Sequence, residues 1–135
     1  RVVICAGMTP VSTPEAYGRL DRLPPPSGDP YPPFAAALES GTLADIGKRL
    51  CNRFEDAFPQ SAVRGFMIHS GAYGALLSGS GSAVFGLFPE TPAAEKTRAV
   101  LERSGYTSAD RYQAPRSAAI KKNSEKTAPH SRLCA

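Results

Sequence analysis

The stretch Gly74-Ala75-Leu76-Leu77-Ser78-Gly79-Ser80-Gly81-Ser82-Ala83-Val84-Phe85-Gly86-Leu87-Phe88 decides the fold. Two short apolar runs, 75–77 and 83–88, flank a loop built only of Gly and Ser, which is the pattern of strand, tight turn, strand. Gly79 and Gly81 have no Cβ, so the backbone there can take positive φ and come close to a ligand. Ser78, Ser80 and Ser82 set hydroxyls beside exposed N–H groups. Such a loop suits an anion or a sugar hydroxyl. A plain hairpin turn accounts for it as well, because Gly-rich turns are ordinary hairpin chemistry.

Helical periodicity surrounds the hairpin. Downstream, Thr91-Pro92 opens a helix on which Ala94, Thr97, Val100 and Leu101 share a face and which Gly105 closes. Residues 107–114 follow as a weaker strand candidate: Tyr106 and Tyr112 suit a strand, Asp110 and Arg111 do not. Upstream, residues 60–70 read as a helix with Val63, Phe66 and Met67 inward, ended by Gly71. Before Pro59, Thr42 caps a helix predicted to run to about Phe58, because Leu43, Ile46, Leu50 and Phe54 recur at spacings of three and four. A short helix over 33–39 ends at Gly41. The Pro-rich segment 23–30 is a surface loop, since Pro supplies no donor and restricts the residue before it. A further helix spans about 14–20, with Ser12 as N-cap and Glu15 completing a capping box, or Thr13 as N-cap and Pro14 at the first helical position. On it Ala16, Tyr17 and Leu20 are neighbours, and Tyr17 is a core aromatic, which the pattern favours, or a ligand platform. The chain opens with a β-branched strand over 2–5. The order strand, helices, strand, strand, helix, strand fits a small antiparallel sheet covered by helices on one face, an α+β architecture.

Length and composition bound the function. The 135 residues suffice for one domain with a core, and 41% hydrophobic and 21% charged residues are those of a soluble globular protein. We place that domain at 1–116 and a disordered basic tail at 117–135, where Lys, Ser, Thr, Pro and Ala dominate without periodicity. The tail carries a net charge of +3 and the body only +1, so the basic balance gives nucleic-acid binding by the folded part little support. No stretch reads as a signal peptide or membrane span, which makes the cytoplasm the expected location and gives no membrane partner. Cys5, Cys51 and Cys134 are odd in number and widely spaced, as free thiols in a reducing compartment are, and they offer no metal site. No G-x-G-x-x-G is present, no His, Asp or Glu pair is spaced as acid and base, and His69 reads as a solvent-facing or capping residue. Catalytic residues are therefore not expected in this chain. Arg1 is not an initiator Met and the strand starts at once, so the sequence reads as a piece of something longer.

With the helix before it and the strand after it, the segment 74–88 resembles the third motif of the GHMP kinase superfamily, a Gly/Ser loop between two strands of the C-terminal domain. The order of elements over 1–116 resembles that domain too, which implies a ferredoxin-like fold. Val2-Val3-Ile4 followed by Val11-Ser12-Thr13-Pro14-Glu15-Ala16-Tyr17 is similar to the branch acting on 4-(cytidine 5′-diphospho)-2-C-methyl-D-erythritol in non-mevalonate isoprenoid synthesis. Leu50-Cys51-Asn52-Arg53-Phe54-Glu55 likewise resembles that branch's Asn-x-x-Glu helix. The resemblance implies that Thr13 lies at the substrate-binding helix entrance and that Tyr17 stacks on the cytosine ring of a small-molecule substrate. It also implies that Gly79, Ser80 and Gly81 line the cleft near the polyol end. Ser82 stands where Pro frequently follows the second Gly. Such kinases transfer the γ-phosphoryl of ATP with Mg²⁺ to the 2-hydroxyl, using an N-terminal kinase half that carries the nucleotide loop and the catalytic Asp and Lys. That half would be this chain's partner, and without it no activity is expected. Another GHMP kinase, of homoserine or mevalonate type, or a non-catalytic ferredoxin-like binding module are the alternatives. A cytosine stack on Tyr17 favours the first reading and a buried Tyr17 another GHMP kinase; an apolar patch left by a missing half separates a kinase half from the module.

Overall fold

The computed structural model describes residues 1–8, 11–58, 61–106 and 111–112. Four strands, β1 (Val2–Ala6), β2 (Gly74–Ser78), β3 (Ala83–Leu87) and β4 (Arg111–Tyr112), form one antiparallel sheet in the order β2-β3-β1-β4. The hairpin is in register from Gly74 opposite Leu87 to Ser78 opposite Ala83, and β1 adds to its far side with Val2 opposite Leu87. This is the split βαβ arrangement of a ferredoxin-like fold, with β3 inserted between β1 and β2. The rest of the weak strand candidate and the tail 117–135 lie outside the described residues.

Alternation decides what the sheet buries. Val3, Cys5, Ala75 and Val84 point to one face, where they join Val63 and Met67 of α5 (Ala62–His69) and Ala94 and Leu101 of α6 (Thr91–Arg103). Met67, Val84 and Phe88 are fully buried, and each contributes about 1.5–3 kcal/mol by leaving water. Phe66 packs against this core while half-buried, and His69 is exposed at the last turn of α5. Cys5 is a free, buried thiol whose pKa is raised by desolvation, and Cys51 is free and exposed.

Six helices are described. α1 (Thr13–Leu20) starts at Ser12, whose hydroxyl accepts from Glu15 N at 3.3 Å, so Ser12 and not Thr13 is the cap. α2 (Tyr31–Ser40) begins two residues earlier than the sequence suggests, because Asp29 Oδ1 accepts from Tyr31 N at 2.9 Å. Glu90, not Thr91, is the N-cap residue of α6 and makes no side-chain cap hydrogen bond, while the Thr91 hydroxyl accepts from Arg1 Nε at 2.9 Å. The helix expected to run from Leu43 to Phe58 is two: α3 (Leu43–Lys48) and α4 (Phe54–Ala57). α3 begins in a full capping box between Thr42 and Asp45, and the Thr42 backbone and side-chain hydrogen bonds hold the Asp45 carboxyl below its usual range. It then crosses β2 backbone to backbone, since a Cβ on Gly47 would lie 2.5 Å from Tyr73 O and one on Gly74 would lie 2.3 Å from Gly47 O. α3 ends at Lys48 with Arg49 as its C-cap residue, and Asn52, whose Oδ1 accepts from Phe54 N at 3.0 Å, starts a new turn.

Candidate functional site

The Gly/Ser loop, 79–82, is a four-residue connection between Ser78 and Ala83 built around a tight turn. Gly81 N donates to Ser78 O at 3.3 Å, and Gly79 takes φ +59° while Ser80 does not take a positive φ, the pattern of a type II′ turn. Gly81 (φ +113°) and Ser82 (φ +132°) then carry the chain into β3. Gly79 has open space where a side chain would stand. The Ser82 φ is one that Pro, fixed near −65°, cannot adopt, so the loop follows a path closed to the Pro-bearing pattern.

The structure brings the loop to the start of α1. The Thr13 and Ser80 hydroxyl oxygens are 3.4 Å apart across 67 residues of sequence. One turn further along α1, Tyr17 is 53% exposed, so it is not the core aromatic that its helical spacing favours; Ala16 fills that role. The Tyr17 ring is held edge to face against Phe54 of α4, with centroids 5.1 Å apart and planes at 86°. Such a contact restrains the ring and leaves much of its surface to solvent. Thr13, Tyr17 and Ser80 thus meet at one side of the molecule, with Gly79 and Gly81 on either side of Ser80. Together they offer an aromatic surface, two hydroxyls and backbone N–H groups, which is binding and orienting chemistry.

The supports of this surface come mostly from one short segment. Asn52 Nδ2 donates to both Leu77 O and Gly79 O at 2.8 Å, so both amide hydrogens are used on the strand and loop that carry Ser80. Glu55 Oε1 accepts from Leu77 N at 2.9 Å, and Glu55 Oε2 lies 3.4 Å from Arg64 Nε, which itself donates to Ala75 O at 3.0 Å. Arg53 pairs with Asp56 at 2.8 Å and donates to Pro24 O, tying the Pro-rich loop to the same segment. Periodicity placed Phe54 on a helix stripe and missed it as the partner of Tyr17; the only signal for Asn52 and Glu55 was the Asn-x-x-Glu resemblance.

Among the described residues no three His, Cys, Asp or Glu side chains converge as metal ligands. No helix among them is long and apolar enough to cross a membrane. An apolar hollow of about 350 Å³ lies on the other side of the sheet, lined by Tyr31 and Phe34 of α2 with Leu50, Leu76 and Phe85.

The fold and this loop-and-helix surface define the class. The family described as GHMP kinases C terminal matches residues 34–107, more than half of the chain, and the chain belongs to that family. It is similar to proteins named 4-diphosphocytidyl-2-C-methyl-D-erythritol kinase. One from Symbiobacterium thermophilum is 33% identical over 111 residues, covering 76% of this chain and 37% of that protein. One from Desulfitobacterium hafniense is 36% identical over 102 residues, covering 71% and 35%. One from Alkaliphilus oremlandii is 30% identical over 92 residues, covering 64% and 32%. The chain thus spans about a third of the length of these relatives.

Proposed function

We propose that this chain is the substrate-binding C-terminal part of a kinase that phosphorylates the 2-hydroxyl of 4-(cytidine 5′-diphospho)-2-C-methyl-D-erythritol. The observation that carries the reading is the half-exposed Tyr17 ring, restrained by Phe54 beside the Thr13 and Ser80 hydroxyls. Cytosine stacks on the free surface of Tyr17, adding about 0.5–1.5 kcal/mol beyond area burial. Thr13 and Ser80 meet the polar remainder of the substrate through their hydroxyls, and Gly79 and Gly81, whose own N–H is spent on Ser78 O, let the loop backbone come close to it. A mevalonate-type or homoserine-type substrate has no base to stack, and an exposed Tyr17 gives that reading no support.

ATP and Mg²⁺ belong, in this reading, to an N-terminal half, which also supplies the acid–base chemistry, and the chain alone has no phosphoryl-transfer activity. The apolar hollow under Tyr31, itself 70% exposed, is the kind of surface such a half would cover, and it weighs against a self-contained binding module. We place the working protein in the cytoplasm. The test is a titration of the chain with cytidine diphosphate followed at Tyr17 by NMR. Saturable shifts that vanish in Tyr17→Ala are expected. Unperturbed Tyr17 signals, both alone and after an N-terminal kinase half is restored, would overturn the reading.

A further inference from the structure

We infer that Asn52 and Phe54 are positioning residues that jointly set the spacing between the Tyr17 ring and the Gly/Ser loop. The inference rests on the reading of Thr13, Tyr17 and residues 79–81 as the ligand site. These elements come from distant parts of the chain, and among the described residues the hydrogen bond between them is a long one, 3.4 Å between two exposed hydroxyls. A contact of that length between freely rotating groups does not fix a geometry. The segment 52–55 does, because it touches both sides within three residues. Asn52 grips the loop through two 2.8 Å bonds, one to the end of strand β2 at Leu77 O and one to the turn itself at Gly79 O. Phe54 holds Tyr17 edge to face, and its own N–H is bound by Asn52 Oδ1, so the two grips are coupled through one backbone unit. Glu55 anchors the segment to β2 through Leu77 N. Loss of the Asn52 amide donors alone frees the loop without touching Tyr17, and loss of the Phe54 ring frees Tyr17 without touching the loop.

The experiment uses the full chain and the variants Asn52→Asp, Asn52→Ala and Phe54→Leu. Asn52→Asp keeps the acceptor for Phe54 N–H and removes the donors to the loop, so it serves if Asn52→Ala fails to fold. Amide hydrogen exchange is read without ligand. In Asn52→Asp, exchange at residues 79–82 should rise tenfold or more, while exchange in the β1–β3 pairing changes less than twofold. In Phe54→Leu, the Tyr17 ring resonances should shift while loop exchange stays as in the parent. A purely structural role would raise exchange across the whole sheet in step with the loss of global stability, and that result, or unchanged loop exchange, overturns the inference. Cytidine diphosphate affinity is measured in parallel, with a tenfold or greater weakening expected in each variant. If the parent chain does not bind it even with its N-terminal half restored, the site reading fails and the joint role falls with it, whatever the exchange shows. If the parent binds and all the folded variants bind equally well, the positioning role alone is refuted.

Discussion

Replacing Gly47 by Ala tests the crossing of α3 over β2 directly. In an ordinary helix the change is stabilising by about 1 kcal/mol, because Ala loses less backbone freedom on folding. At Gly47 the new Cβ would stand 2.5 Å from Tyr73 O, 2.6 Å from Tyr73 C and 2.9 Å from Gly74 N. All three are backbone atoms, and one of them starts the edge strand, so nothing can swing aside. Forcing α3 off the strand costs about 3 kcal/mol, the upper part of the range for overpacking, and leaves Gly47→Ala destabilised by about 2 kcal/mol. Gly65, on α5, is exposed with nothing within 4 Å of its Cβ position, so Gly65→Ala should gain about 0.5–1 kcal/mol. The same substitution in two helices is therefore expected to act with opposite sign. Urea unfolding of both variants reads the difference as separated midpoints, by roughly 1–3 M for a slope of 1–3 kcal/mol/M. Stabilisation of Gly47→Ala to the same extent as Gly65→Ala would refute the crossing.

Two further outcomes follow from backbone strain and burial. At Ser82, φ of +132° burdens any residue with a Cβ, so Ser82→Gly should hold or raise stability by up to about 1 kcal/mol, and Ser82→Pro should lower it by more; equal midpoints for the two in urea would contradict the loop path. Cys5, in a Cys51→Ser, Cys134→Ser background, should react with a thiol reagent only as fast as the domain unfolds. Its pKa is raised by burial, so its share of the stability is complete below the ordinary thiol range and is lost as the pH climbs through the raised value; a midpoint indifferent to alkaline pH, compared with Cys5→Ala, would count against this.

The hairpin, the opening strand and the two helices that cover the sheet were legible because their signals are local. Alternation, turn glycines and a three-to-four stripe need no knowledge of distant residues. The break between α3 and α4 was not legible for the opposite reason. Leu43, Ile46, Leu50 and Phe54 keep the helical stripe, but α3 ends at Lys48, ahead of Asn52, whose side chain bonds carbonyls 25 and 27 residues away and starts a new turn at Phe54. Tyr17 shows the same limit, since its spacing suits a core position and only the neighbouring Ala16 is taken into the core. The pairing of Thr13 with Ser80 spans 67 residues, and nothing in either neighbourhood points at the other; family resemblance brought both to one site before the geometry did.

β2 stands at the margin of the sheet, a position where free N–H and C=O groups invite a strand from another molecule to pair. Here Leu77 N, Leu77 O and Ala75 O are already taken by Glu55, Asn52 and Arg64. A second copy could extend the sheet past β2 only by first displacing three side chains. The same bonds thus act as a guard against self-association, and losing them would cost solubility as well as order.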